Sequence, residues 1–409
     1  MQCILKTLCN VVFNKKIILL IGINLLGYLN YMCFDSIKIF IYIDEVILII
    51  IMADDKLVPK LRFSGFKDNW ENTKIGDCLD VKYGKDYKHL NKGKYPVLGT
   101  GGIMEYVDEF LYSGESILIG RKGTIDKPKY INDSFWTVDT LFYTEIKKQF
   151  PKFLFYCISN INWLKYNEAS GVPSLSANNI KNVKINIPEL IEQKKIANFL
   201  TSIDYKIELL DAKHKYYVEF KRYLMQQIFT QKLRFNFHDN WEIKKLGEIT
   251  QINTGKKDVK DKKDDGKYLF FVRSEKIERI DSYSFDGEAI LIPGDGKIGE
   301  VYHYINGKFD YHQRVYKISN FHNDVFGKYI YYYLEKNFLR QAMKNTAKAT
   351  VDSLRMDTLT KMPIELPSFE EQIKIANSLT FTDEKINLAK NNIDVANKFK
   401  KGLLQQMFI

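Results

Sequence analysis

Most of this chain is written twice, and that duplication limits its possible folds more than any other feature. Leu61-Arg62-Phe63, then Asp68-Asn69-Trp70 and Ile75-Gly76, return as Leu233-Arg234-Phe235, Asp239-Asn240-Trp241 and Leu246-Gly247. Gly84-Lys85 returns as Gly255-Lys256. Gly114-Glu-Ser-Ile-Leu-Ile119 returns as Gly287-Glu-Ala-Ile-Leu-Ile292. Ser174-Leu175, Pro188, Glu192-Gln193, Ile196-Ala197-Asn198 and the run 224–229 match Ser353-Leu354, Pro367, Glu371-Gln372, Ile375-Ala376-Asn377 and the run 403–408. The offset drifts from about 171 to 173 in the early matches and then holds at 179, as in Leu224 against Leu403. Such a period is far longer than a solenoid repeat. The chain therefore divides into 52–188, a domain; 189–232, a spacer helix; 233–367, a second domain; and 368–409, a second spacer helix.

The two helical segments carry apolar residues at alternating steps of four and three. Ile196, Leu200, Ile203, Ile207, Leu210, Tyr217, Leu224 and Ile228 form the first seam, with His214 and Lys221 filling two steps. The second reads Ile375, Leu379, Thr382, Ile386, Ala389, Ile393, Ala396, Lys400, Leu403 and Met407. A 3.5-residue period sustained this long predicts coiled-coil helices, each about 60 Å long. Pro188 and Pro367 precede the starts, and Glu192 and Glu371 in the first turns suit the helix dipole. The small and polar positions Thr382, Ala389, Ala396 and Lys400 argue against a homodimer zipper. They fit helix one packing on helix two of the same chain.

The intervening parts read as β-rich, so the fold class is α/β in the α+β sense. Ser116–Ile119 and Ala289–Ile292 are short apolar strands running into glycine-rich turns, Gly120–Gly123 and Gly294–Gly299. Aromatic and β-branched strands follow around Phe135–Thr144 and Tyr311–Ile318. Phe153–Trp163 and Gly327–Ala342 read as helical.

Residues 1–51 are far more apolar than the rest. Ile17 to Phe34 carry no charge, which is just long enough for a membrane-crossing helix. A membrane anchor, a targeting segment and a start at Met52 are the three explanations. The second copy lacks any such segment, which favours the start at Met52. The cysteines Cys3, Cys9, Cys33, Cys78 and Cys157 form no CxxC pair or zinc-type cluster, so no metal is expected, and a reducing cytoplasm fits.

Catalytic motifs are missing. There is no P-loop, no GxSxG, no Cys/His nucleophile arrangement, and no acidic-Pro-Pro-aromatic motif of an amino-methyltransferase. Asp139, Glu145 and Lys147 form a D…ExK triple of the kind that holds Mg²⁺ in nucleases, which keeps a duplicated metal-dependent DNA endonuclease as an alternative. The second copy places Gln313 at the position of Asp139, which weighs against it. A membrane-anchored DNA-binding protein is the other alternative.

The net charge is +11, yet only nine of the 61 basic residues are arginine, so the placement of charge says more than its sum. Basic side chains gather near the turns: Lys82, Lys85, Arg121 and Lys122 in copy one; Lys256, Lys257, Arg273, Lys297, His312 and Arg314 in copy two. Arginine can donate two hydrogen bonds to one guanine edge, whereas lysine mainly neutralises phosphate. Two diverged readers joined by rigid helices would recognise a split duplex site with an unread gap. Similar helices beside dissimilar readers imply one partner type bound twice.

Residues 52–409 resemble the specificity subunit of Type I restriction-modification systems. The resemblance rests on Pro59–Phe63 with Trp70 and Ile75-Gly76 and their return, on the two Gly-Glu strand starts at 114 and 287, on His312–Tyr316, and on the helix starts Pro188–Leu200 and Pro367–Leu379. It implies two target-recognition domains separated by two antiparallel helices. It further implies a non-catalytic subunit that binds two methylation subunits and, through the complex, restriction subunits. S-adenosylmethionine, ATP and Mg²⁺ would then sit on those partners, with no cofactor on this chain, and the complex would methylate adenine and cut DNA. Copy one has Val138-Asp139-Thr140 where copy two has His312-Gln313-Arg314, so the two readers are expected to differ in specificity.

Overall fold

The computed structural model describes residues 57–343 and 353–409; the apolar segment 1–51 lies outside them. The described residues form two compact units, one from 57–205 with 396–409 and the other from 206–343 with 353–395. The boundaries fall inside the two long helices rather than at their starts.

In the first unit, β1 (Glu71–Lys74) leads through a single turn, α1 (Ile75–Cys78), into β2 (Leu79–Lys82). Then come β3 (Lys92–Gly99), β4 (Gly102–Val107), β5 (Tyr112–Gly120), β6 (Lys129–Thr137) and β7 (Leu141–Ile146). Helices α2 (Pro151–Ser159) and α3 (Ala177–Asn182), the strand β8 (Lys184–Ile187) and the helix α4 (Leu190–Phe229) complete the first copy. The second unit repeats this order with β9 (Glu242–Lys245), α5 (Leu246–Ile249), β10 (Gln251–Thr254), β11 (Tyr268–Phe271), β12 (Glu278–Ile280), β13 (Phe285–Pro293), β14 (His303–Tyr311), β15 (Val315–Ser319), α6 (Gly327–Met343), α7 (Met356–Thr360), β16 (Pro363–Leu366) and α8 (Phe369–Met407).

Both units hold a six-stranded sheet of the same topology, β2-β7-β5-β6-β3-β4 and β10-β15-β13-β14-β11-β12, and a two-stranded ribbon, β1-β8 and β9-β16. The strand expected around Phe135–Thr144 is two strands. Backbone bonds from Leu141 N to Val138 O and from Val315 N to His312 O close a tight turn in each copy. Apolar residues run up to both sides of this turn, and that continuity hides the break in the sequence. The helix expected over Phe153–Trp163 stops at Ser159, and a 3₁₀ turn follows at Trp163–Tyr166.

The repeated motifs turn out to be joints. Arg62 is buried and donates from Nε and Nη2 to the two carboxylate oxygens of Glu192, each at 2.7 Å. Arg234 does the same to Glu371 at 3.0 and 2.7 Å. Gln193 accepts from Phe150 N and donates to Pro188 O, while Gln372 accepts from Phe326 N and donates to Pro367 O. The Glu-Gln pair therefore fastens the start of each long helix to the domain that precedes it. Gly114 and Gly287 have φ of +125° and +145°, a conformation that favours glycine. Their neighbours Glu115 and Glu288 accept from Tyr130 and Tyr304 on the adjacent strand.

All positions of the expected helical seams are buried or half-buried. In the first unit, Ile196, Ala197 and Leu200 of α4 share a core with Leu403 and Met407 of α8. In the second, Met225 and Ile228 share one with Ile375, Ala376 and Leu379. Beside these cores Asp204 meets Lys400 and Lys221 meets Asp383, so along α4 the partners on α8 fall in number as those on α4 rise, and the paired segments of each unit run antiparallel. The charged seam positions also have a role. Lys400 pairs with Asp204 at 2.5 Å and lies over the ring of Tyr156, which donates to the same Asp204. Lys221 pairs with Asp383 at 2.8 Å and lies over Tyr332, which donates to Asp383. The lysines and aspartates are offset by 179 and the tyrosines by 176, so this is one contact made twice.

Removing one partner of a fully buried pair strands the other charge, at a cost of about 3–5 kcal/mol. Arg62→Met is therefore expected to destabilise the first unit by about that amount. Arg234→Met should cost the second unit less, because Trp241 Nε1 also donates to Glu371. Urea unfolding of both variants checks this, and equal losses would contradict it.

Candidate nucleic-acid interface

Each six-stranded sheet brings several loops together at one end. In the first unit, Lys85 N donates to Thr137 O, Val138 N to Leu98 O, and Arg121 N to Thr140 O. In the second, Gln313 N donates to Lys257 O, His312 N to Phe271 O, and Gly294 N to Arg314 O. The segments that end or follow β2, β3 and β5, and in copy two β10, β11 and β13, thus converge on the tight turn. This approach explains one repeated glycine. A Cβ at Gly84 would lie 2.1 Å from Val138 O, and one at Gly255 would lie 2.0 Å from Tyr311 O. No side chain fits there.

The side chains on this shared backbone differ. In copy one, Arg121 donates from Nη1 to Asp139 O at 3.1 Å, lies 3.9 Å from its carboxylate, and sits over the exposed ring of Tyr83. Lys85 and Lys122 are exposed beside it, and Lys122 bridges to Ser174 through the backbone. Lys82 pairs with Glu145 at 3.1 Å. In copy two, Asp295 accepts from Arg314 at 2.7 Å and from Arg273 at 3.0 and 3.1 Å. Burial works to raise the pKa of Asp295, but the bonds from Arg314 and Arg273 outweigh it and hold the carboxyl below its ordinary value. Lys256 and Lys297 are exposed, and Lys257 is half-buried with its backbone paired to His312.

His312 has a different position from the surface one its sequence neighbours suggested. It is 2% exposed, and its Nδ1 accepts from Arg314 N at 2.9 Å. Its ring braces the turn that presents Arg314. Burial first, and the charge of Arg273 second, press its pKa below the usual histidine value. Sequence reasoning passed over Asp295 and Tyr83. Asp295 stands inside a glycine-rich loop whose sequence marks only a turn, and Tyr83 lies between Lys82 and Lys85.

The D…ExK triple does not assemble. Asp139 faces Arg121, Glu145 pairs with Lys82, and Lys147 pairs with Asp80. Asp139 lies in the tight turn before β7 and Glu145 near the far end of that strand, so the two carboxylates stand at opposite ends of it. No cluster of three or more metal-type ligands occurs among the described residues, and none of their helices is long and apolar enough to cross a membrane. Cys78 and Cys157 are buried free thiols, their pKa values pushed up to about 11 and about 12, chiefly by burial.

The family described as Type I restriction modification DNA specificity domain matches this chain twice, over residues 67–216 and 238–398. The specificity subunit of the EcoDI Type I restriction enzyme of Escherichia coli is 28% identical over 169 residues, 40% of this chain and only 37% of that subunit. The MjaVIII specificity subunit of Methanocaldococcus jannaschii is 22% identical over 389 residues, 82% of this chain and 91% of its own. The crystal structure of the S subunit of a Type I restriction-modification system from M. genitalium aligns with a TM-score of 0.66 at 17% identity, over 86% of this chain and 99% of that one. A chain from a structure concerned with complex assembly and conformational transition of the Type I system gives 0.51 at 16%, over 83% and 97%. At these identities the solved structures speak for the fold.

The neutral state of His312 has a pH consequence. A histidine whose folded pKa is depressed gives stability that is complete above its unfolded pKa of about 6.5 and is lost as pH falls through that value. The second unit should therefore lose thermal stability on acidification from neutrality. His303, also depressed by burial, contributes to the same slope. His312→Val, which installs the residue copy one carries there, should flatten part of it in melts taken across that range; an unchanged slope would contradict this.

Proposed function

This chain belongs to the Type I restriction-modification specificity family, and we propose that its two units read the two halves of one split, asymmetric DNA site. The observation that carries this reading is the pair of equivalent loop clusters. Their backbone frames share equivalent bonds, Val138 N to Leu98 O against His312 N to Phe271 O and Arg121 N to Thr140 O against Gly294 N to Arg314 O, yet their side chains share almost nothing. A frame that is kept while its lining diverges suits two readers of different sequences. Basic side chains in both clusters neutralise phosphate, while their arginines can address base edges.

The reaction belongs to partners. Methylation subunits would carry S-adenosylmethionine and modify adenine; restriction subunits would use ATP and Mg²⁺. The long helices offer a surface for the former. Leu209, Tyr216 and Phe220 of α4 are exposed, and so are Leu388, Val395 and Phe399 at the positions of α8 offset by 179. Large apolar side chains repeated in water at heptad spacing suit one kind of partner met twice.

The test is a map of N6-methyladenine in a host genome with and without this gene, alongside its methylation partner. A gene-dependent motif of two unlike halves around a fixed gap is expected; a continuous motif, or none with an active partner, would overturn the reading. Arg314→Ala should relax one half of that motif by on the order of tenfold and leave the other intact. Equal relaxation of both halves would refute the assignment of one unit to one half.

A further inference from the structure

The two readers set their turn charges with opposite polarity. Lys122 and Asp295 occupy the same place, since each bridges to the matching serine, Ser174 or Ser353. Thr140 and Arg314 also correspond, since their carbonyls accept from Arg121 N and Gly294 N. Copy one therefore has cations on the turn after β5 and its anion, Asp139, on the tight turn. Copy two has its anion on the turn after β13 and Arg314 on the tight turn, with Arg273 brought in from the loop after β11.

The side chain of Asp295 is 17% exposed, while those of Arg273 and Arg314 are 42% and 64% exposed. The carboxylate thus lies beneath two guanidinium groups. Each arginine binds it through Nη1 alone, at no more than 3.1 Å from Oδ2. Neither arginine uses Nε or Nη2 on the carboxylate, which leaves those nitrogens for a ligand. Because both Nη1 atoms bind the same oxygen, they lie no more than about 6 Å apart, within two base-pair steps of 3.4 Å.

We propose that Asp295 is a positioning residue for DNA reading: it aims Arg273 and Arg314 at guanine edges and discourages their use on phosphate. This rests on the DNA-reading function proposed above. Guanine N7 and O6 are neutral acceptors that an arginine fork can take while its inner nitrogen stays on the carboxylate. A phosphate in the same place would meet two arginine charges that Asp295 beneath has half cancelled, so the site attracts the backbone less than two unpaired arginines would. The half-site read by the second unit should then contain neighbouring guanines, on one strand or across both.

The test uses the full chain with its methylation partner and labelled duplexes: the mapped motif, the motif with either half scrambled, and unrelated sequence. Asp295→Asn keeps the shape of the side chain and removes its charge. It is expected to bind unrelated duplex more tightly, with a salt dependence steeper by about one ion. Discrimination at the second unit's half-site should fall by on the order of tenfold, with the other half unchanged. Asp295→Glu should restore part of that discrimination. A merely structural carboxylate would instead weaken binding to every duplex alike, and that result would overturn the proposal. So would full retention of discrimination in Asp295→Asn, or a half-site without neighbouring guanines. If the unaltered chain itself failed to tell its motif from unrelated duplex, the DNA-reading function would fall and this inference with it.

Discussion

A buried arginine bound through two nitrogens to a buried glutamate fixes the rest of the molecule. Arg62 comes from the segment that enters the first domain, and Glu192 from the first turn of the helix that leaves it. The pair closes the domain on itself and sets where the helix begins. Neither charge can reach water, so neither tolerates loss of the other. Around this joint, Phe63 packs edge-on against Phe199, and Trp70 packs against Phe153 and Phe408. Arg234 and Glu371 repeat the joint with a more open arginine. Because entrance and exit are pinned together, the loops at the far end of the sheet are free to vary without disturbing the frame.

The frame was legible because it occurs twice. Leu-Arg-Phe, Gly-Glu and Glu-Gln recur in order, and each is a joint: an ion pair, a positive-φ glycine beside a bonded glutamate, a bond to backbone. The heptad seam was equally plain, since its period follows directly from helix geometry. Lys221 fills a step of that seam, and Lys400 is among the positions that argue against a homodimer zipper. Only the structure shows Asp204 and Asp383 facing them across it. The tight turns at Val138–Thr140 and His312–Arg314 were hidden because apolar residues flank them on both sides, and hydrophobic pattern alone cannot mark a chain reversal.

The reading surface was legible only in outline. Arginines near turns could be picked out, but their partners could not, because Arg273, Asp295 and Arg314 lie on three separate loops that meet only when the sheet forms. His312 shows the opposite error. A histidine next to an arginine resembles a surface pair in sequence, yet here one braces the other from inside. What a side chain offers a ligand depends on what it already holds, and spacing does not reveal that.

The seam ion pairs also bear on how such a chain can change. Asp204 and Lys221 both belong to the first half of the sequence, and their counterparts Asp383 and Lys400 belong to the second. Each half therefore carries both the acid and the base of the contact, along with the apolar positions around them. Either half, duplicated, would be complementary to itself. A fusion of two such halves from different sources would close the same seam, whatever loops each brought. Exchange of halves would thus bring together new loops in a single step, with the scaffold chemistry already satisfied.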